Sequence, residues 1–110
     1  MLEVVFYRDG SKRLSSIFAR GHAEFAIEAD DLVCAAVSAI LQAARLGLEE
    51  YAGIDLEAHQ RTGEFRIRWP QVQRDDERVR AIVGTAEMAV AQIARQYPEH
   101  VTCNTARETG

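Results

Sequence analysis

Long apolar runs and cysteine are scarce in this chain of 110 residues, and basic residues are fewer than acidic ones. No run approaches the roughly 18 apolar residues of a membrane span. The most apolar stretch, Leu32 to Leu41, contains Ser38 and soon meets Gln42 and Arg45. No basic segment follows Met1-Leu2-Glu3-Val4, so no signal peptide and no membrane association are expected, and a cytoplasmic protein follows. There are two cysteines, Cys34 and Cys103, and in that compartment both are expected to stay reduced. His100-Val101-Thr102-Cys103 has no second ligand pair at zinc-like spacing, so no metal is expected. No glycine-rich phosphate loop occurs, and no cofactor is called for. Acids outnumber bases, giving a net charge of −4. That balance argues against direct nucleic-acid binding, which needs a basic footprint, and suits a basic peptide partner better. Repeats and low-complexity segments are also absent.

What is present is enough for one domain, expected over residues 1–105 with a polar, frayed tail at 106–110. Apolar residues make up 47% of the chain, an ordinary share for a globular core. Leu2 to Arg8 and Leu14 to Gly21 read as strands, joined by a turn at Asp9-Gly10-Ser11 where glycine accepts positive φ. A first helix is expected from Asp31 to Leu48, apolar nearly all round in its first half and so buried on most sides. A hairpin follows. Ile54, Leu56 and Ala58 alternate with polar residues, as do Phe65, Ile67 and Trp69. A loop at Gln60-Arg61-Thr62-Gly63 would set Glu57 opposite Arg66 and Asp55 opposite Arg68. The facing acids make Arg61, Arg66 and Arg68 a solvated charge ladder rather than an RNA patch. Val79, Ile82, Val83, Ala86, Val90, Ile93 and Tyr97 mark an amphipathic second helix that Pro98 stops. A last strand, His100 to Asn104, completes the order ββαββαβ. The expected class is α+β: a two-layer sandwich with two helices on one face of a mostly antiparallel sheet.

Chemistry concentrates in two short words. His22 lies in Gly21-His22-Ala23, and Cys34 in Asp31-Leu32-Val33-Cys34-Ala35-Ala36-Val37-Ser38-Ala39. A Cys and a His that meet in space make a nucleophile with its own general base. With Asp31 as N-cap, Cys34 would fall in the first helical turn, where free N–H groups and the dipole favour a thiolate and an oxyanion. Asp31 has several readings: its charge opposes the thiolate, or it orients His22, or it only caps the helix. Ser38, one turn after Cys34, either back-bonds to the helix or supports the thiol. Taken singly, Cys34 reads as a small buried filler, His22 as a strand-end residue bonded to backbone, and Cys103 as core or edge filler.

Together, the G-H-A word and the D-x-V-C-A-x-x-S-A word, with His and Cys twelve residues apart, resemble the bacterial ribosomal-processing cysteine protease family, Prp. The resemblance spans the whole chain length. It implies a cysteine endopeptidase that removes the N-terminal extension of large-subunit ribosomal protein number twenty-seven, cutting after an aromatic residue. It implies His22 and Cys34 as the catalytic dyad, Asp31 and Ser38 in support, no cofactor, and a homodimer. Two departures stand out. The segment Ala23 to Asp30 has no glycine where the family usually has several, so Phe25 and Ile27 are candidates for a stiffer wall of the substrate loop. Ala36 takes the place of a common glycine, a change a helix tolerates. The rival reading is a non-catalytic ribosome-associated binding module with an inert, buried Cys34. A thiol redox sensor is a third, although no resolving cysteine lies near Cys34 in the sequence.

Overall fold

The computed structural model describes residues 1–21 and 29–109, with backbone alone at 29–31. Its elements are β1 (Leu2–Arg8), β2 (Leu14–Arg20), α1 (Ala29–Leu46), β3 (Glu57–Arg61), β4 (Glu64–Arg68), α2 (Glu77–Gln96) and β5 (Val101–Arg107). The expected order is therefore observed. The five strands form one mixed sheet in the order β3-β4-β2-β1-β5, antiparallel throughout except for β5, which runs parallel to β1.

Strand alternation decides what the sheet buries. Leu2, Val4 and Phe6 of β1 point to the helices, as do Ile17 and Ala19 of β2 and Phe65 and Ile67 of β4. From α1 they meet Val33, Val37, Leu41 and Ala44, and from α2 Val79, Val83, Ala86 and Val90. The second helix follows the expected stripe. Asp76 caps it, accepting from the backbone N–H of Arg78 (2.8 Å) and Val79 (3.4 Å). Trp69 is wholly buried, and its indole N–H donates to the Leu14 carbonyl at 2.8 Å.

Several details differ from the sequence reading, each for a local reason. The β1–β2 turn places its positive φ at Lys12 rather than at Gly10. Asp9 organises that turn instead, with Oδ1 accepting from the N–H groups of Ser11 (2.8 Å) and Arg13 (3.0 Å). The β3–β4 loop is the short Thr62-Gly63 connection, with φ of 79° at Gly63. The register therefore sets Glu57 opposite Arg68 and His59 opposite Arg66. The charge ladder is also different. Arg61 pairs with Glu64, Arg68 pairs with Glu108, and Arg66 lies over the Phe18 ring at 4.6 Å. β3 is exposed along its whole length.

The C-terminus is held rather than frayed from Ala106. β5 runs on to Arg107, and Glu108 donates its N–H to the Arg8 carbonyl while its carboxylate takes Arg68 and the Ser15 hydroxyl. The first helix also departs from expectation. It begins at Ala29 and passes at Gly47–Tyr51 into a π-helical turn. Leu32–Tyr51 is long and apolar enough to cross a membrane by length and composition, with mean hydropathy 1.5. One of its faces packs on the sheet through Val33, Val37, Leu41, Ala44 and Leu48. The other stays open: Leu32 (74% exposed), Ala35, Ala36, Ala39, Ala43 and Leu46 (61% exposed) form an uncovered apolar stripe.

Candidate active site

The strands end in a cleft. β2 stops at Arg20, and Gly21 follows with φ of 79°, its N–H donating to the Gly63 carbonyl at 2.9 Å. A Cβ on Gly21 would stand 2.6 Å from the Met1 carbonyl oxygen. Glycine is required there twice, by backbone sign and by close approach. The end of β2, the start of β1 and the hairpin tip are thus held together.

Across from this junction runs α1. Between them lies a cavity of about 880 Å³. Leu2, Ala19, Leu41 and Phe65, all buried, form an apolar floor. Cys34 is on the helix wall, 8% exposed, and Ser38 stands one turn further along the same wall. The rim is charged but internally paired: Arg20 with Glu3 (3.0 Å) and Arg61 with Glu64 (2.9 Å). A trough of this size with an apolar floor and a polar rim suits a peptide side chain and its backbone.

The structure places Cys34 and Ser38 in one cleft. His22, Phe25 and Ile27 lie outside the described residues, as does the side chain of Asp31. The helix start changes the expected setting of the thiol. Because α1 begins at Ala29, Asp31 lies inside the helix rather than at its cap, and Cys34 stands in the second turn. In any helix the N–H groups without an intrahelical partner are those of the first four residues. Side chains of a helix lean toward its N-terminus, so Cys34 leans back toward that turn.

The sequence reading missed the floor and the far wall. Leu2, Leu41 and Phe65 look like ordinary core residues, and Gln60 like a loop residue. The signal for the hairpin tip was Thr62-Gly63, since a glycine after a polar residue between two strands marks a short turn. Cys103 is distinct from Cys34. It is partly buried on β5, and burial, with a smaller contribution from Glu87, pushes its thiol up to about 11. Among the described residues no cluster of three His, Cys, Asp or Glu could hold a metal ion.

The family model described as cysteine protease Prp matches residues 1–102. Among curated proteins no match was found. Two crystal structures of the essential ribosomal processing protease Prp from S. aureus, one with a substrate peptide and one with a covalently linked product peptide, superpose with TM-scores of 0.84 and 0.83. Each is 20% identical and covers 96% of this chain and 99% of its own. SMU.848 from Streptococcus mutans is 26% identical, with a TM-score of 0.82 and coverage of 98% and 96%.

Proposed function

The chain belongs to the cysteine protease Prp family, and from that premise we propose that it is the endopeptidase that trims the N-terminal extension of large-subunit ribosomal protein number twenty-seven, in the cytoplasm, through a dyad of Cys34 and His22. The observation that carries this reading is the position of Cys34 on the wall of an apolar-floored cleft large enough for a peptide. The peptide-bound S. aureus relatives share the fold in which that cleft is built.

The chemistry is acyl transfer. His22 takes the thiol proton of Cys34, and the thiolate attacks the scissile carbonyl. The oxyanion of the tetrahedral intermediate meets backbone N–H groups of the first turn of α1, toward which Cys34 leans. His22 then protonates the leaving amine. Water attacks the thioester with His22 as base, releasing the acid product and the thiol. Ser38, a turn away in the same cleft, supports the site through its hydroxyl. Phe25 and Ile27, outside the described residues, are the candidates for the loop wall of the substrate site.

The test is a cleavage assay on the full-length ribosomal protein of the same organism, with product masses measured. Wild type is expected to remove a discrete N-terminal segment, and Cys34→Ala and His22→Ala to remove none while staying folded. Truncation that persists in Cys34→Ala overturns the dyad. An intact ribosomal protein alongside cleavage of another basic protein overturns the substrate.

The open stripe on α1 supports a further part of the reading, a homodimer in which that stripe is covered by a second copy. Ala39→Glu puts a charge at its centre. Sedimentation is expected to show a dimer for wild type and a monomer for the variant, and a wild-type monomer sinks the idea.

A further inference from the structure

Gln60 lines the same cleft as Cys34 and is tied to Arg45, which lies beyond Gln42 toward the C-terminal end of α1. It is on β3 opposite Phe65, so it shares the face that Phe65 turns to the cleft floor. Its side-chain oxygen accepts from Arg45 Nη1 at 3.0 Å. Arg45 is itself steadied by Glu49, with Nε 3.4 Å from Oε1. Guanidinium offers only donors, so the carboxamide must turn its oxygen to Arg45 and its NH₂ away. Among the described residues nothing bonds to that NH₂. The chain Glu49–Arg45–Gln60 thus orients an exposed donor, without a protein partner among the described residues, beside an apolar-floored trough.

The spacing says what it could hold. Along α1, the cleft-lining residues run from Leu32 to Gln42, and Cys34 is near the first end. From Cys34 to Gln42 the helix rises about 12 Å, at ~1.5 Å per residue. An extended peptide covers that in about four residues, at ~3.3 Å each. Its side chains alternate, so one that enters the floor of Leu41 and Phe65 leaves main-chain carbonyls directed sideways, toward the walls.

We propose that Gln60 is a substrate-binding residue, positioned by Arg45, whose NH₂ donates to a main-chain carbonyl of the bound peptide about three or four residues from the scissile bond. This rests on the peptidase reading above. The hold is independent of sequence, and it makes cleavage depend on peptide length on one side of the cut.

The experiment uses two peptides from the ribosomal protein, one extending five residues to each side of the cut and one extending two. Wild type, Gln60→Leu and Arg45→Met are compared. One hydrogen bond corresponds to roughly a threefold to tenfold effect. Gln60→Leu is expected to raise KM for the long peptide by that factor, with kcat within twofold and the short peptide unaffected. Arg45→Met, which frees the carboxamide without removing it, is expected to act in the same direction but less. An unchanged KM for the long peptide overturns the proposal, as does an equal rise for both lengths, which would mean a deformed cleft. Failure of the peptidase reading is read separately. If wild type cuts neither peptide, binding of a fluorescent long peptide to Cys34→Ala and to Cys34→Ala/Gln60→Leu is measured by anisotropy. A threefold or greater loss in the double variant sustains Gln60, and equal affinities or no binding at all overturn it.

Discussion

At the sheet end beyond Arg8 and Arg68, buried polar groups answer one another. At the end beyond Leu2 and Arg20, an apolar trough is left open beside a cysteine. In the first region Asp9 is buried and accepts from Ser11, Arg13 and Arg74. Arg74, also buried, donates twice more to the Trp69 carbonyl, at 3.0 and 3.1 Å. Arg13 reaches on to Asp75 at 2.9 Å. In the second region the charged rim pairs with itself, and Leu2, Ala19, Leu41 and Phe65 face the cavity. The same strands serve both ends. The contrast sets a buried, mutually satisfied ion-pair network at one end of the sheet against an apolar-floored cleft at the other.

That contrast can be broken from its closed end. Arg74→Met keeps the volume but leaves the Trp69 carbonyl without its side-chain donors and Asp9 with Arg13 and the Ser11 N–H. Removing one partner of a buried ion pair costs about 3–5 kcal/mol, and the remaining Arg13 favours the lower part of that range. Urea unfolding is expected to show this loss, while kcat/KM of the folded fraction stays within twofold. A large fall in activity without a fall in stability would show that the two ends are coupled.

Acid probes the same end more gently. Burial pushes the Asp9 carboxyl up, but the N–H groups of Arg13 and Ser11 and the guanidinium groups of Arg74 and Arg13 outweigh it and hold it at about 2. Its ordinary value is 3.8. A carboxylate lowered in the folded state contributes stability above its unfolded pKa and loses it as pH falls through the folded one. The contribution is about 2 kcal/mol, present above pH ~4 and gone by pH ~2. Unfolding free energies of wild type and Asp9→Asn between pH 7 and 2 are expected to converge as acid is added. Parallel curves would remove Asp9 as the source.

How much of this was legible depends on the kind of signal. β1 and the stripe of α2 follow directly from local periodicity, as does the order of elements. The hairpin register did not, because it hangs on whether two or four residues turn the chain, and the alternation is blind to that choice. Nor did the open face of α1: Leu32, Ala39 and Leu46 are as apolar as Val33 and Leu41, so composition alone cannot tell a face packed on the sheet from one left for a partner. Cys34 and Ser38 could be paired in advance since helical spacing puts them on one wall. Gln60 could not, because its neighbour Arg45 is fifteen residues away and only the fold brings them together.

The smallest change in stability is expected at the open end, from Gly21→Ala. A side chain at φ of 79° costs about 1–2 kcal/mol. The new Cβ, 2.6 Å from the Met1 carbonyl oxygen, must also push that strand start aside. Met1 is largely exposed, so it can give way without disturbing the core. Gly21 directly precedes His22 in the sequence, so on the proposed mechanism a backbone change here bears on the rate more than on the fold. A modest loss in urea midpoint is expected together with a tenfold or greater fall in kcat, with KM changing less. Arg74→Met should give the reverse pattern, a large loss of stability with little loss of rate. If both variants lose stability and rate in the same proportion, the two ends of the sheet are one cooperative unit, and the division between them is only one of composition.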